Sequence, residues 1–187
     1  MDYILQAEKL YKYFEFNLEL ESMQKVLEIK KKFNNDFNLI GCYIKDFLTI
    51  ENNGKISDDE NIYHDFVLCF ENQKNSFKTD EFINKLLVYS NYYLTLVFED
   101  TKDRVLLNTI VSVNSCFNME YYPFLMELMD KYINKKIDSI SYALMLQFIT
   151  DTVFKFFENS KENKVTLTEL RNKLSSITPL QKERIAI

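Results

Sequence analysis

Asp2-Tyr3-Ile4-Leu5-Gln6-Ala7-Glu8-Lys9-Leu10-Tyr11-Lys12-Tyr13-Phe14-Glu15-Phe16-Asn17-Leu18 sets a period that the rest of the chain keeps. Ile4, Ala7, Tyr11, Phe14 and Leu18 recur at steps of three and four, which places them on one face of a helix over about 2–16. Moving outward, Met23, Val26, Leu27 and Phe33 repeat the pattern up to Asn34-Asn35, a break. Phe37, Ile40, Ile44, Phe47 and Leu48 repeat it beyond. Gly41 is the discordant residue in this third helix, because an interior glycine costs about 1 kcal/mol against alanine.

Asn53-Gly54 marks a turn, and Ser57-Asp58-Asp59-Glu60 has the form of a capping box ahead of Ile62, Phe66, Val67 and Phe70. Thr79 caps a fifth helix with Asp80 and Glu81 in its first turn, where carboxylates suit the dipole, and with Ile83, Leu86, Leu87, Leu94 and Val97 as its stripe. Tyr92 to Phe98 also reads as a strand, since short apolar runs do not separate the two. Thr101 and Asn118 are each placed to cap a further helix, the second with Pro123 in its first turn or so, where a missing N–H is tolerated. Ser139 to about Glu158 is apolar nearly all round, the pattern of a central helix enclosed by others. Thr166-Leu167-Thr168-Glu169 and Thr178-Pro179-Leu180-Gln181 are two more capping boxes that open short closing helices.

The expected fold is all-α: about ten helices in antiparallel hairpins, as a compact bundle or a short α-solenoid. The F-E-[ND]-x-K echo at Phe70, Phe98 and Phe157 favours the solenoid, although no tetratricopeptide or ankyrin consensus is present. The 187 residues, with no linker-like stretch, read as a single domain over 1–187. Only 2 Gly and 2 Pro are present, which argues against sandwiches, barrels and Rossmann folds with their many special turns. The excess of Lys, Asn, Ile, Phe and Tyr looks like codon usage from an AT-rich genome, so aromatic abundance carries less functional weight than usual.

A net charge of -5 from interspersed residues gives no general attraction to nucleic acid or anionic membrane. Cys42, Cys69 and Cys116 are odd in number and widely spaced, and the first residues lack a basic segment followed by an apolar one; both point to a soluble, cytoplasmic protein. The most apolar segment, 140–157, is interrupted by Gln147, Thr150, Asp151 and Lys155, so no membrane span is expected.

Three stretches carry oxygen donors at steps that a cation-binding loop uses. Thr49 to Glu60 has Gly54, Ile56 and Glu60 in place but a threonine first. Glu158 to Glu169 has Glu158, Ser160, Glu162, Val165 and Glu169, with Asn163 for the central glycine. Asp130 to Ser141 keeps Asp130, Asn134 and Ile137 and lacks the terminal acid. In these residues the chain resembles the calcium-binding EF-hand, and the resemblance implies a degenerate, calcium-responsive protein.

His64 and Cys69 are the only pair that invites nucleophilic or metal chemistry, but five residues on a helix turn them to different faces, about 140° apart. Cys69 reads as a core residue and His64 as a surface one. No Gly-rich phosphate loop, G-x-S-x-G elbow or H-E-x-x-H occurs, so no catalytic, cofactor or metal residue is assigned. Residues 165–187 have the outline of a helix-turn-helix, with Arg171, Lys173, Lys182 and Arg184 available to phosphates, but they lack its tight glycine turn. Lys30-Lys31-Lys32 and Lys135-Lys136 read as solvated helix ends.

The expected function is that of a non-enzymatic, protein-binding regulatory module, in its most specific form an inhibitor or immunity protein of phage or mobile-element type. A degenerate EF-hand protein and a nucleic-acid-binding regulator are the alternatives.

Overall fold

The computed structural model describes residues 3–53, 60–74, 79–116 and 121–158, with Asn172, and among these the chain is helical without strands. Eight helices follow one another: α1 (Tyr3–Asn17), α2 (Leu20–Lys32), α3 (Phe37–Glu51), α4 (Ile62–Lys74), α5 (Thr79–Phe98), α6 (Arg104–Cys116), α7 (Tyr122–Ile133) and α8 (Ser139–Glu158). They match the first eight expected from the periodicity. The two closing helices lie outside the described residues, as do the capping residues Ser57, Thr166 and Thr178. None of the described helices is long and apolar enough to cross a membrane.

The chain forms two compact units, 1–94 and 95–187, described in turn. In the first, α1 packs on α3 and also meets α2 and α4, while α3 packs on α4. The reversal between α2 and α3 uses Asn34 and Asn35, with φ of 52° and 60°, a left-handed conformation that asparagine tolerates better than most residues. Asp36 then caps α3, accepting from the N–H groups of Asn38 and Leu39, each at 3.0 Å.

Aromatic rings form a continuous core through this unit. Phe14 meets Phe66 edge-on at 5.4 Å, Phe66 meets Phe82 at 5.7 Å, and Phe82 meets Phe47 at 5.5 Å. Tyr43, Phe33 and Tyr93 continue the chain of contacts. Edge-to-face pairs add about 0.5–1.5 kcal/mol each beyond area burial, so these phenylalanines also determine how the helices seat. The Tyr43 hydroxyl, wholly enclosed, donates to the Leu86 carbonyl and so satisfies its polar end.

Gly41 sits where α3 passes the first turn of α1. A Cβ there would lie 2.7 Å from both the Cβ and the carbonyl oxygen of Tyr3. The glycine that is discordant in the sequence is thus the residue that permits the α1–α3 approach. Gly41→Ala, which in an open helix gains about 1 kcal/mol, is expected here to lose about 1–3 kcal/mol through overpacking. Urea denaturation measures it, and a stabilised variant would mean that the start of α1 yields freely.

The fifth helix remains helical through Phe98, so the strand reading of Tyr92–Phe98 is not realised. Tyr92, Tyr93 and Leu96 are buried on its inner face, and Glu99, at φ 55°, follows the end of the helix. The first two copies of the F-E-[ND]-x-K echo stand in different surroundings. Phe70 is fully buried inside α4, whereas Phe98 stands exposed at the end of α5.

In the second unit, α8 packs on α6 and α7. Asp103, rather than Thr101, caps α6: its Oδ1 accepts from Val105 N–H at 2.8 Å and Leu106 N–H at 3.2 Å. Thr101 accepts from Asp103 N–H at 3.2 Å and so shapes the approach to the cap. The described part of α7 begins at Tyr122, with Tyr121 at the N-cap position and Pro123 just inside; Asn118, the expected cap, lies outside the described residues. The expectation that α8 is enclosed all round fails over its first half. Tyr142, Met145, Leu146 and Ile149 are buried, while Ile140, Ala143, Leu144 and Gln147 face out, the pattern of a one-sided helix.

Candidate functional site

His64 stands exposed on α4, and Cys69 is partly buried on the same helix. Burial pushes the Cys69 thiol up to about 11; the Glu51 carboxylate adds to the shift and Lys85 opposes it. At neutral pH the sulfur therefore keeps its proton, whereas a nucleophilic cysteine needs the opposite shift. Glu51 and Lys85 form an ion pair, and the Lys85 ammonium also lies 5.6 Å from the Tyr89 ring. These groups join α3 to α5.

The three loop-like stretches fare differently. Asp130 to Ser141 is described throughout and does not open into a cation loop. Asp130 lies inside α7, where Oδ1 accepts from the Asn134 amide at 2.8 Å and Oδ2 from Lys136 Nζ at 3.2 Å. A lysine ammonium thus occupies the place of the cation. Thr49 and Glu51 belong to α3, with Thr49 Oγ1 donating to the Lys45 carbonyl at 3.0 Å; residues 54–59 lie outside the described residues. Beyond Glu158, so does the third stretch, and so, Asn172 apart, does the helix-turn-helix outline over 165–187. Among the described residues, no group of three or more His, Cys, Asp or Glu side chains is placed to hold a metal ion.

The basic run at the end of α2 is not simply solvated. Lys30 Nζ lies 5.3 Å from the Tyr11 ring and 4.9 Å from the Phe37 ring, bridging α1 and the start of α3. Lys32 pairs with Glu28 at 2.7 Å and donates to Asn91 of α5 at 2.9 Å. Both cations are used in holding helices together.

A cleft of about 630 Å³ opens in the second unit, where Asp103, Tyr132, Lys135, Lys136 and Asp138 meet. Its carboxylates are occupied. Asp103 Oδ2 accepts from the Tyr132 hydroxyl at 3.0 Å while Oδ1 caps α6, and Asp138 Oδ1 accepts from Ser141 N–H at 2.7 Å at the start of α8. Hydrogen bonds from Ser141, first through its backbone N–H, hold the Asp138 carboxyl below the usual range. The cleft is a junction of two capped helix starts.

Asp46 on α3 is the exceptional ionisable group. Protein crowds its carboxyl although the side chain keeps some solvent contact, and burial holds it well above its ordinary value of 3.8, with Lys45 opposing. A carboxyl raised in the folded state contributes stability below pH 3.8 that is lost as pH rises through the folded value. Asp46→Asn is therefore expected to raise the melting temperature at pH 7, by the few degrees that about 1 kcal/mol brings, and the gain should vanish towards pH 3.8. Melting curves of both proteins across that range test the sign; a gain that is largest in acid would reverse the assignment.

The features that remain are apolar. Phe16, 86% exposed, and Leu20, 78% exposed, flank the turn between α1 and α2, and Ile140, 67% exposed, stands on the outer face of α8. Exposure of this degree on ordered helix ends is not accounted for by packing within either unit. No family model matches the chain, and neither curated proteins nor solved structures provide a match.

Proposed function

We propose that this chain acts in the cytoplasm without catalysis, by binding a partner protein as an adaptor or inhibitor. The observation that carries the reading is the pair Phe16 and Leu20, both nearly free of contact at an ordered corner of the first unit. Isolated exposed apolar residues are ordinary, but a phenylalanine and a leucine exposed to this degree on either side of one turn offer apolar surface that a partner can cover. The chemistry of Cys69 supports the same reading, since its thiol is held protonated and His64 lies on the solvent side of α4.

Affinity capture on the purified chain, with and without nuclease, tests the reading. A protein retained in stoichiometric, saturable amount after nuclease treatment is the expected result. Retention of nucleic acid alone, or of no macromolecule, would overturn it. Replacing His64 and Cys69 together by alanine is expected to leave partner affinity within about twofold, a difference below ~0.5 kcal/mol. Melting temperature is measured beside affinity, because trimming a half-buried Cys69 lowers stability without touching function. A double variant with unchanged melting temperature and an activity lost by orders of magnitude would establish catalysis instead.

A further inference from the structure

Resting on the protein-binding reading above, we infer that the α1–α2 corner is the docking surface, and that it takes a partner face combining basic side chains with an apolar pocket. Phe16 is the penultimate residue of α1 and Leu20 begins α2, so four residue steps hold their Cα atoms within about 14 Å. The only charged side chains in 15–21 are Glu15, Glu19 and Glu21, and all three are exposed. The fold adds a fourth carboxylate from a distant part of the chain. Ser22, in the first turn of α2, donates to Asp80 Oδ1 at 2.6 Å, which brings the acidic start of α5 beside the same corner.

Among the described residues of this corner, two lysines stand against the four carboxylates. Lys25 pairs with Glu21 at 3.3 Å, with Glu21 still 79% exposed, and Lys12 stands one turn back on α1. A surface pair of that kind is worth at most about 1 kcal/mol. Where exposed apolar side chains adjoin an excess of carboxylates, the apolar groups supply affinity and the charges select and steer the partner. The complementary surface carries lysine or arginine around a pocket that admits a phenylalanine ring. An anionic membrane is repelled by the same carboxylates, and so is a second copy presenting the same corner.

The probe is a synthetic amphipathic helix of leucine and lysine, with its charge-reversed counterpart of leucine and glutamate as control. Binding to the full chain is read by fluorescence anisotropy at low and high salt. The chain should bind the leucine–lysine helix and not the leucine–glutamate one. Affinity should fall at least about tenfold in the double variant Phe16→Ser/Leu20→Ser, and several-fold at high salt or in Glu15→Gln/Glu19→Gln/Glu21→Gln. These positions are exposed, so both variants are expected to keep the wild-type helical spectrum and melting temperature.

Equal binding of the two helices, no binding of the basic one, or variants that bind like the wild type would overturn the inference. So would a dimer in sedimentation velocity that Phe16→Ser/Leu20→Ser dissolves, which would assign the corner to a second copy. Should the wild-type chain capture a protein partner that this double variant retains equally, the docking surface is wrong and the protein-binding reading stands. Capture of no protein by the wild type removes both.

Discussion

Phe66→Ala will lower the stability of the protein by about 3–5 kcal/mol, the range for emptying a buried phenylalanine site. Phe66 has no solvent exposure and stands at the middle of the ring chain, meeting Phe14 and Phe82 edge-on and Phe70 face to face. Truncation leaves a cavity bounded by α1, α4 and α5, and rigid rings on three helices cannot close it by small shifts. The loss is measured by chemical denaturation, with Phe66→Leu as the companion that keeps most of the volume. A loss below about 1 kcal/mol for the alanine variant would mean that the rings repack, and that the first unit lacks the tight seating described above.

Leu146→Asp will unfold the second unit or drive it to aggregate. Leu146 belongs to the inner face of α8 with Tyr142, Met145 and Ile149, and only 4% of it is exposed. An ionised carboxylate placed on that apolar face costs several kcal/mol, a large share of the 5–15 kcal/mol that holds a typical domain together. Hydrogen exchange over α6, α7 and α8 reads the outcome segment by segment. Leu144→Asp, on the outer face of the same helix and 42% exposed, is the control and should leave protection unchanged. Equal protection in both variants would show that α8 has no inner face.

The contrast between Leu144 and Leu146 also marks what could be read along the chain. Leucines two apart in an apolar run look alike in sequence, and the run from Ser139 reads as a helix enclosed on every side. Only the positions of α6 and α7 divide it into a covered and an open face. A similar limit applied to the lysines. Lys30 and Lys32 read as solvated cations at a helix end, but Tyr11, Phe37 and Asn91, from three other parts of the chain, meet them. Asp80 was legible as a first-turn carboxylate of α5, and its approach to Ser22 was not.

Helix positions, by contrast, were determined by the sequence alone. An i to i+4 backbone hydrogen bond and a three- and four-residue apolar stripe are local properties, so eight described helices fall where Ile4, Val26, Ile44, Phe66, Leu86, Ile110, Leu128 and Met145 recur in phase. Local signals erred where neighbouring residues competed for one role, as Asp103 did with Thr101 for the cap of α6. Tertiary structure alone decided why Gly41 is a glycine and why Phe16 and Leu20 remain uncovered. The first depends on a Tyr3 backbone that only folding brings within 2.7 Å of where a Cβ would stand, and the second on no described helix of the first unit crossing that corner. Burial is a sum over contacts from distant segments, and helical periodicity restricts which face is available to be covered without stating whether anything covers it.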